Sequence, residues 1–456
     1  MPTERYLWQS STMTVSKISK IKAVVLQGDT MASLIASVNM DTIARDWLSK
    51  AGNKVYKYRD TIDLGTLGML DDLLVITEAG VETTKANAFI NIVSASKGYQ
   101  FSDTKCSQML VTNKKNDSME NIMKVDKWIE ERNNGVINDV YSGKVRTGNV
   151  LRQKYMGLYI QSDRRNSESI DLKTKKAAII INKVKNKVAD MKAGKFTVET
   201  VSILRESVLL GNLLYGTEVM YNLSKDEIKA LCKLDMWFLK ETLNLEGHIP
   251  DCLLLLELGL EPIEVKIIKK RVLFLKYMLD QPDELCCKVL MEQVKDTSPR
   301  DWWNVVKLDL EALSIELSLK EIQNVSSKEW KKQVKHRGNE LALATLLDLK
   351  SKLKYKGRNN VYPKLRTKAY LLSESGFYLM EMKLILKLRT DMLEVPKCLL
   401  HKFDGDKMCR SGCMVEEDIS HTIECNEDNM VKMFKMEDLE NVIMDNYTLS
   451  LKPKPR

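Results

Sequence analysis

Asp71 and Asp72 stand side by side inside the apolar run Leu67–Ile76. Burying two carboxylates in a strand-like run costs several kcal/mol per ion unless a cation or hydrogen bonds compensate. A divalent metal ion is the usual compensation, because hard oxygen ligands hold it. A second candidate centre is Cys409-x3-Cys413-x7-His421-x3-Cys425. Three thiolates and an imidazole suit a tetrahedral Zn²⁺, with Gly412 easing the knuckle-like bend; the plain alternative is a loop with incidental cysteines. Four ligands close such a site, so its role would be structural. Cys398 is a spare ligand, whereas Cys106, Cys232, Cys252, Cys286 and Cys287 read as core residues.

Basic residues form the third signal. Lys173–Lys195 carries eight lysines, and Lys328–Lys368 carries thirteen Lys and Arg against Glu329, Glu340 and Asp348. Trp330, Tyr355 and Tyr362 are interleaved in the second segment, which suggests phosphate contact with base stacking. A solvated helix face explains the charge equally well. Trp302 and Trp303 read as packing or interdomain residues.

The chain that must position these groups has 456 residues, enough for several domains, with a net charge of +9. Charged residues at 29% and apolar ones at 44% describe a globular protein, neither disordered nor membrane-embedded. No run approaches the roughly 18 apolar residues a bilayer span requires. No apolar signal core follows Met1–Arg5, so the expected location is nucleus or cytoplasm without secretion.

Apolar spacing gives the elements. Val15–Val25 alternates as a short strand or hairpin. Asp29 fits a helix N-cap, with Leu34–Leu48 at helical spacing and Gly52 just past the end. The flanks of Asp71–Asp72 form a hairpin, Val81–Tyr99 and the segment from Met119 read as helices, and Ser107–Thr112 as a strand. Lys154–Ile160 reads as a strand broken at Gly157. Beyond residue 165 helical spacing takes over, in Asp171–Lys192, Val198–Asn222, Lys225–Leu243 and Glu264–Leu279.

Several short motifs, in order, resemble the reverse transcriptases of non-long-terminal-repeat (LINE-type) retrotransposons. Leu26-Gln-Gly-Asp-Thr30 is similar to the family's Gln-Gly-Asp motif, and Met69-Leu-Asp-Asp72 to its metal-binding turn. Phe101–Met109 resembles the palm segment with its lysine at Lys105, and Lys154-Tyr-Met-Gly157 the turn that grips the primer. Leu214-Tyr-Gly-Thr-Glu218 and Glu257-Leu-Gly-Leu-Glu-Pro262 resemble thumb and post-thumb sequences. Motif order is the context that makes such a match informative.

The resemblance implies RNA-directed DNA polymerase chemistry, with Asp71 and Asp72 as catalytic carboxylates and Asp71 a Mg²⁺ ligand. Gln27, Gly28 and Lys105 would line the nucleotide and template site, and Tyr155 and Gly157 would grip the primer. Two metal ions would activate the primer hydroxyl and steady the pyrophosphate. The implied partners are an RNA template, a DNA primer or target, and deoxynucleoside triphosphates, with no membrane.

This sequence departs from the family in three places. Met69 stands where an aromatic is usual, the first cysteine spacing is one residue longer than the usual two, and no Asp or Glu lies between Arg5 and Gly28 to supply the upstream carboxylate. The residues before Val15 match nothing in the family, so a truncated start is expected. The fold expectation is therefore α+β: a partial right-hand polymerase palm (a β-hairpin carrying Asp-Asp, plus helices), a mostly helical thumb and linker, and a small zinc knuckle. The corresponding boundaries are a non-family segment over 1–20, palm over 21–165, thumb and post-thumb over 166–300, basic linker over 301–400, knuckle over 401–430 and tail over 431–456. The alternative function is a non-catalytic nucleic-acid-binding remnant that uses the thumb and knuckle.

Overall fold

The computed structural model describes residues 5–7, 10–11, 14–15, 19–21, 32–51, 56–69, 72–77, 107–109, 111, 148–149, 152–161, 163–190, 198–220, 222–245, 249–299, 301–353, 362–368, 371–372 and 379–390. The protein is mixed α+β and mostly helical, and its strands pair two by two in small sheets. It divides into two compact units. Met1–Gln153 with Gln161–Arg164 forms the first, and Lys154–Ile160 with Arg165–Arg456 the second.

In the first unit, helix α1 (Ala32–Ala51) stops one residue before Gly52, where the sequence predicts its end. Its Ile43 is fully buried, and the helix packs against the strand Thr66–Met69. The strands are β1 (Arg5–Leu7), β2 (Ser10–Ser11), β3 (Thr14–Val15), β4 (Ser19–Ile21), β5 (Lys57–Tyr58), β6 (Ile62–Asp63), β7 (Thr66–Met69), β8 (Asp72–Val75), β9 (Ser107–Gln108) and β10 (Gly148–Asn149). β7 and β8 pair antiparallel with Thr66 opposite Val75 and Met69 opposite Asp72. The expected hairpin therefore forms, and its register puts Asp72 at the turn end of the ladder. Among the described residues only β9 and β10 pair in parallel.

The second unit opens on the tip of a hairpin made by β11 (Arg152–Tyr155) and β12 (Leu158–Gln161). A helical array follows: α2 (Ser167–Asp190), α3 (Val198–Leu204), a π turn (Arg205–Leu209), α4 (Leu210–Leu213), α5 (Lys225–Thr242), α6 (Asp251–Leu258), α7 (Ile263–Leu279), α8 (Leu285–Lys295), α9 (Trp302–Ala312), α10 (Leu319–Asn324), α11 (Ser327–Ser351) and α12 (Leu379–Arg389). Two apolar clusters share α7. Ile263 and Ile267 join Leu209, Phe238 and Leu253 in the first, while Val272 and Leu275 join Val306 and Trp330 in the second. Each burial removes apolar area from water at roughly 25 cal/mol per Å².

Several buried charges in this unit are paired. Arg205, turned inward by the π turn, donates from Nε and Nη2 to the two carboxylate oxygens of Asp235, each at 2.7 Å, and from Nη2 to the Glu261 carbonyl at 2.9 Å. Arg271 of α7 grips Asp309 of α9 in the same two-pronged way, at 2.6 and 3.0 Å. Glu257 is 0% exposed and accepts from Arg389 Nε at 2.8 Å and from the Tyr362 hydroxyl. Next to it Gly259 ends α6 at φ +65°, where an ideal Cβ would stand 2.0 Å from the Arg366 carbonyl carbon. Only glycine admits both that conformation and that approach.

Cys252 and Cys287 are buried, Cys232 and Cys286 half-buried, and all four are free thiols, as core cysteines should be. Burial first, then the Glu264 carboxylate, pushes the Cys232 thiol pKa up. No helix among the described residues is long and apolar enough to cross a membrane.

Candidate nucleic-acid interface

Met156 and Gly157 form the two-residue turn of the β11–β12 hairpin, at φ +48° and +82°. Positive φ at both central residues matches the right-handed twist of the flanking strands, which is why a glycine is needed there. The sequence reads this stretch as one interrupted strand; it is two strands, because both turn residues leave the extended region. Tyr155 is half-buried and Met156 exposed.

This tip rests on the turn that follows α4. The Tyr215 hydroxyl donates to the Met156 carbonyl at 2.7 Å. A Cβ on Gly157 would come within 3.2 Å of the Tyr215 ring, and one on Gly216, itself at φ +72°, within 2.5 Å of Leu158. From α2, Ser169 Oγ accepts from the Tyr159 amide at 2.8 Å and donates to the Tyr159 carbonyl at 3.2 Å. Two motifs read separately in the sequence, Lys154–Gly157 and Leu214–Glu218, thus form one contact.

The carbonyls left over at the end of α4 are met by ammonium groups, as the negative end of a helix favours. Lys173 of α2 donates to the Asn212 carbonyl at 3.1 Å and the Tyr215 carbonyl at 2.5 Å. Lys270 of α7 donates to the Leu214 carbonyl at 2.7 Å and to Glu218 at 2.9 Å. The Trp302 indole N–H reaches the Glu218 carbonyl at 2.7 Å, so this tryptophan packs within its own unit. Burial, and secondarily the Lys270 charge, lowers the Lys173 pKa to about 8.

Lys173 is therefore an internal cap, although the sequence groups it with the surface lysines. Its spacing from Ile170, Ala177 and Ile181, all buried, was the available signal. Lys175, Lys176, Lys183, Lys185 and Lys187 do stay on the exposed face of α2.

The second basic segment differs from the stacking expectation. Trp330 is 1% exposed and its indole donates to the Val272 carbonyl at 3.3 Å. Trp330, Val334, Gly338, Ala342 and Leu346 form one buried stripe along α11, at the four-residue spacing that keeps side chains on one face. Tyr362 is buried against Glu257, with the Lys350 and Lys368 ammonium groups 5.0 and 4.5 Å from its ring centroid. Neither aromatic can meet a base, because both complete the core. The α11 lysines Lys328, Lys331, Lys332 and Lys335 remain exposed.

Asp71, Gln27, Gly28, Lys105, Cys409, Cys413, His421, Cys425, Tyr355, Cys106 and Cys398 lie outside the described residues, as do the helix expected over Val81–Tyr99 and the one beginning at Met119. Asp72 is placed by its backbone alone. Among the described residues no group of three or more His, Cys, Asp or Glu could hold a metal ion. No family model matches this chain, and no curated protein does. Tyr215 and Ser169 carry the hairpin contact, and Lys270 anchors the turn on which it rests; of these, only Tyr215 lies in a motif that the sequence marks. The Leu214–Glu218 motif marked their neighbourhood, but only the fold pairs it with the hairpin.

Proposed function

We propose that this chain derives from a non-long-terminal-repeat retrotransposon RNA-directed DNA polymerase and binds a template–primer. The observation that carries this reading is the seating of the Lys154–Gly157 tip on Tyr215, which joins the two motifs that resemble a primer grip and a thumb. A rigid turn beside a helix with five exposed lysines suits a nucleic-acid backbone, since phosphate contact needs positive charge held in place and no base readout. The antiparallel β7–β8 hairpin supports the assignment of Asp71 and Asp72 to a palm turn. Magnesium held there would supply charge stabilisation for nucleotidyl transfer. Zinc on Cys409, Cys413, His421 and Cys425 would fix a small knuckle beside the basic segment.

A second reading, binding without polymerisation, is favoured by the exposed lysines of α2, which serve phosphate contact without any metal chemistry. Primer extension on an RNA template with Mg²⁺ or Mn²⁺, run beside Asp71→Ala and with binding of an RNA–DNA duplex measured in parallel, decides between them. Extension abolished in the variant establishes the polymerase. Duplex binding without extension, unchanged in Asp71→Ala, establishes the binding remnant. No binding at low salt rejects both.

A further inference from the structure

Helix α5 displays a second surface that the hairpin site does not use. Its start is fixed by a reciprocal cap: Ser224 Oγ accepts from the Glu227 amide, and the Glu227 carboxylate accepts from the Ser224 amide at 2.7 Å. From that start Leu231, Leu234, Asp235 and Phe238 face inward. Lys225, Lys229, Lys233 and Trp237 face outward, at strict four-residue spacing. Each step of four advances about 6 Å along the axis, comparable to the separation of successive phosphates on an extended strand. No carboxylate pairs with these three lysines among the described residues.

Trp237 is 38% exposed although it belongs to a helix with a well-filled core. Its indole N–H donates to Glu241 Oε1 at 3.3 Å, and Lys185 of α2 holds the other Glu241 oxygen at 2.7 Å. The Lys185 ammonium compensates the Glu241 charge, and its hydrogen bond, aided by the indole, keeps the carboxyl below its ordinary pKa. The same bridge ties the C-terminal part of α2 to that of α5. Asn166, just before α2, donates to Asn222, just before α5, at 2.7 Å. The two helices therefore run parallel, and Lys185 comes alongside the Trp237 end.

We propose that the Lys225–Lys229–Lys233–Trp237 stripe is a track for single-stranded nucleic acid, with phosphates on the ammonium groups and a base stacked on the indole. The occupant follows from the mixture of groups. Charge alone would serve a duplex or an acidic peptide, but a duplex keeps its base faces stacked inside and has none to offer an indole. A pinned, partly exposed aromatic at the end of an unneutralised lysine row fits unpaired bases on a phosphate chain.

This inference rests on the nucleic-acid half of the function proposed above and needs no polymerase chemistry. The test uses the full chain and fluorescence anisotropy with labelled oligo-dT and oligo-U strands and a blunt duplex of equal length. Trp237→Ala is expected to weaken single-strand binding about tenfold and to leave the duplex unchanged, since one base–aromatic stack is worth roughly 1–3 kcal/mol. Trp237→Phe should restore most of that loss. Lys229→Gln with Lys233→Gln should lower the slope of log K against log salt by about 1.4 on single strands, at roughly 0.7 per phosphate. Equal losses on both substrates, or unchanged single-strand affinity in both variants with duplex binding intact, overturn the track alone. If the unaltered chain binds neither substrate, the nucleic-acid reading of the whole protein falls with it.

Discussion

The Tyr215 hydroxyl donates to the carbonyl of Met156, 59 residues earlier in the chain, across 2.7 Å. The same ring lies where a Cβ on Gly157 would stand 3.2 Å away. One tyrosine thus fixes a turn by a hydrogen bond and by a steric limit.

Tyr215→Phe removes the bond and keeps the ring. The expected cost is about 1 kcal/mol, the net worth of a neutral hydrogen bond. Gly157→Ala adds both the contact with Tyr215 and the penalty of a Cβ at φ +82°, so it should cost more than Tyr215→Phe. Urea unfolding read by circular dichroism gives both values. The reverse order would mean that the tip does not rest on Tyr215.

Lys173 makes stability depend on pH in the alkaline range. Its folded pKa of about 8 lies below the ordinary 10.5, so between these values the unfolded chain holds the proton and the native chain releases it. Unfolding free energy therefore gains as pH rises through that window, and the cost of the buried charge is fully present below it. At about 1.4 kcal/mol per pKa unit the gain approaches roughly 3 kcal/mol. Subtracting the pH profile of Lys173→Met isolates it; parallel profiles would show that the ammonium is better solvated than its burial implies.

Glu257 is the buried anion shared by Arg389 and Tyr362. Removing one partner of a buried pair strands the other charge, at a cost of about 3–5 kcal/mol. Glu257→Ala should therefore destabilise far more than removing an exposed pair such as Lys175–Asp171 by Lys175→Ala, whose contribution is about 0–1 kcal/mol. Gly259→Ala should match the larger effect, because its methyl collides with the backbone at Arg366. Thermal melts of the three variants order them; comparable melting temperatures would contradict the hub.

For the cysteine–histidine cluster the expected outcome is about one Zn²⁺ per chain in freshly purified, reduced protein. Cys413→Ser or His421→Ala should release it, as elemental analysis would detect. A metal-free unaltered chain removes the knuckle from the proposal.

Periodicity along the chain determined much of the second unit. Apolar residues at three- and four-residue spacing located α2, α5 and α7 to within a few residues, because a helix reports its buried face locally. The hairpin around Asp71 and Asp72 was legible for the same reason, since alternation and a polar turn are also local. The lysines of α11 and their interleaved aromatics were misleading as a group. Composition counts Trp330 with its basic neighbours, while its register sets it among Val334, Ala342 and Leu346.

What tertiary structure alone decided is which distant groups meet. Tyr215 and Met156, Lys173 and the end of α4, and Glu257 and Arg389 are pairs that no local pattern announces. Their partners are set by packing, because a buried carbonyl or carboxylate must find a donor wherever the fold brings one within reach. The sequence by itself determined the residue types, the helix phases and the motif order. The choice of Lys173 as an internal cap, and of Trp237 as an exposed indole, came from how the helices pack.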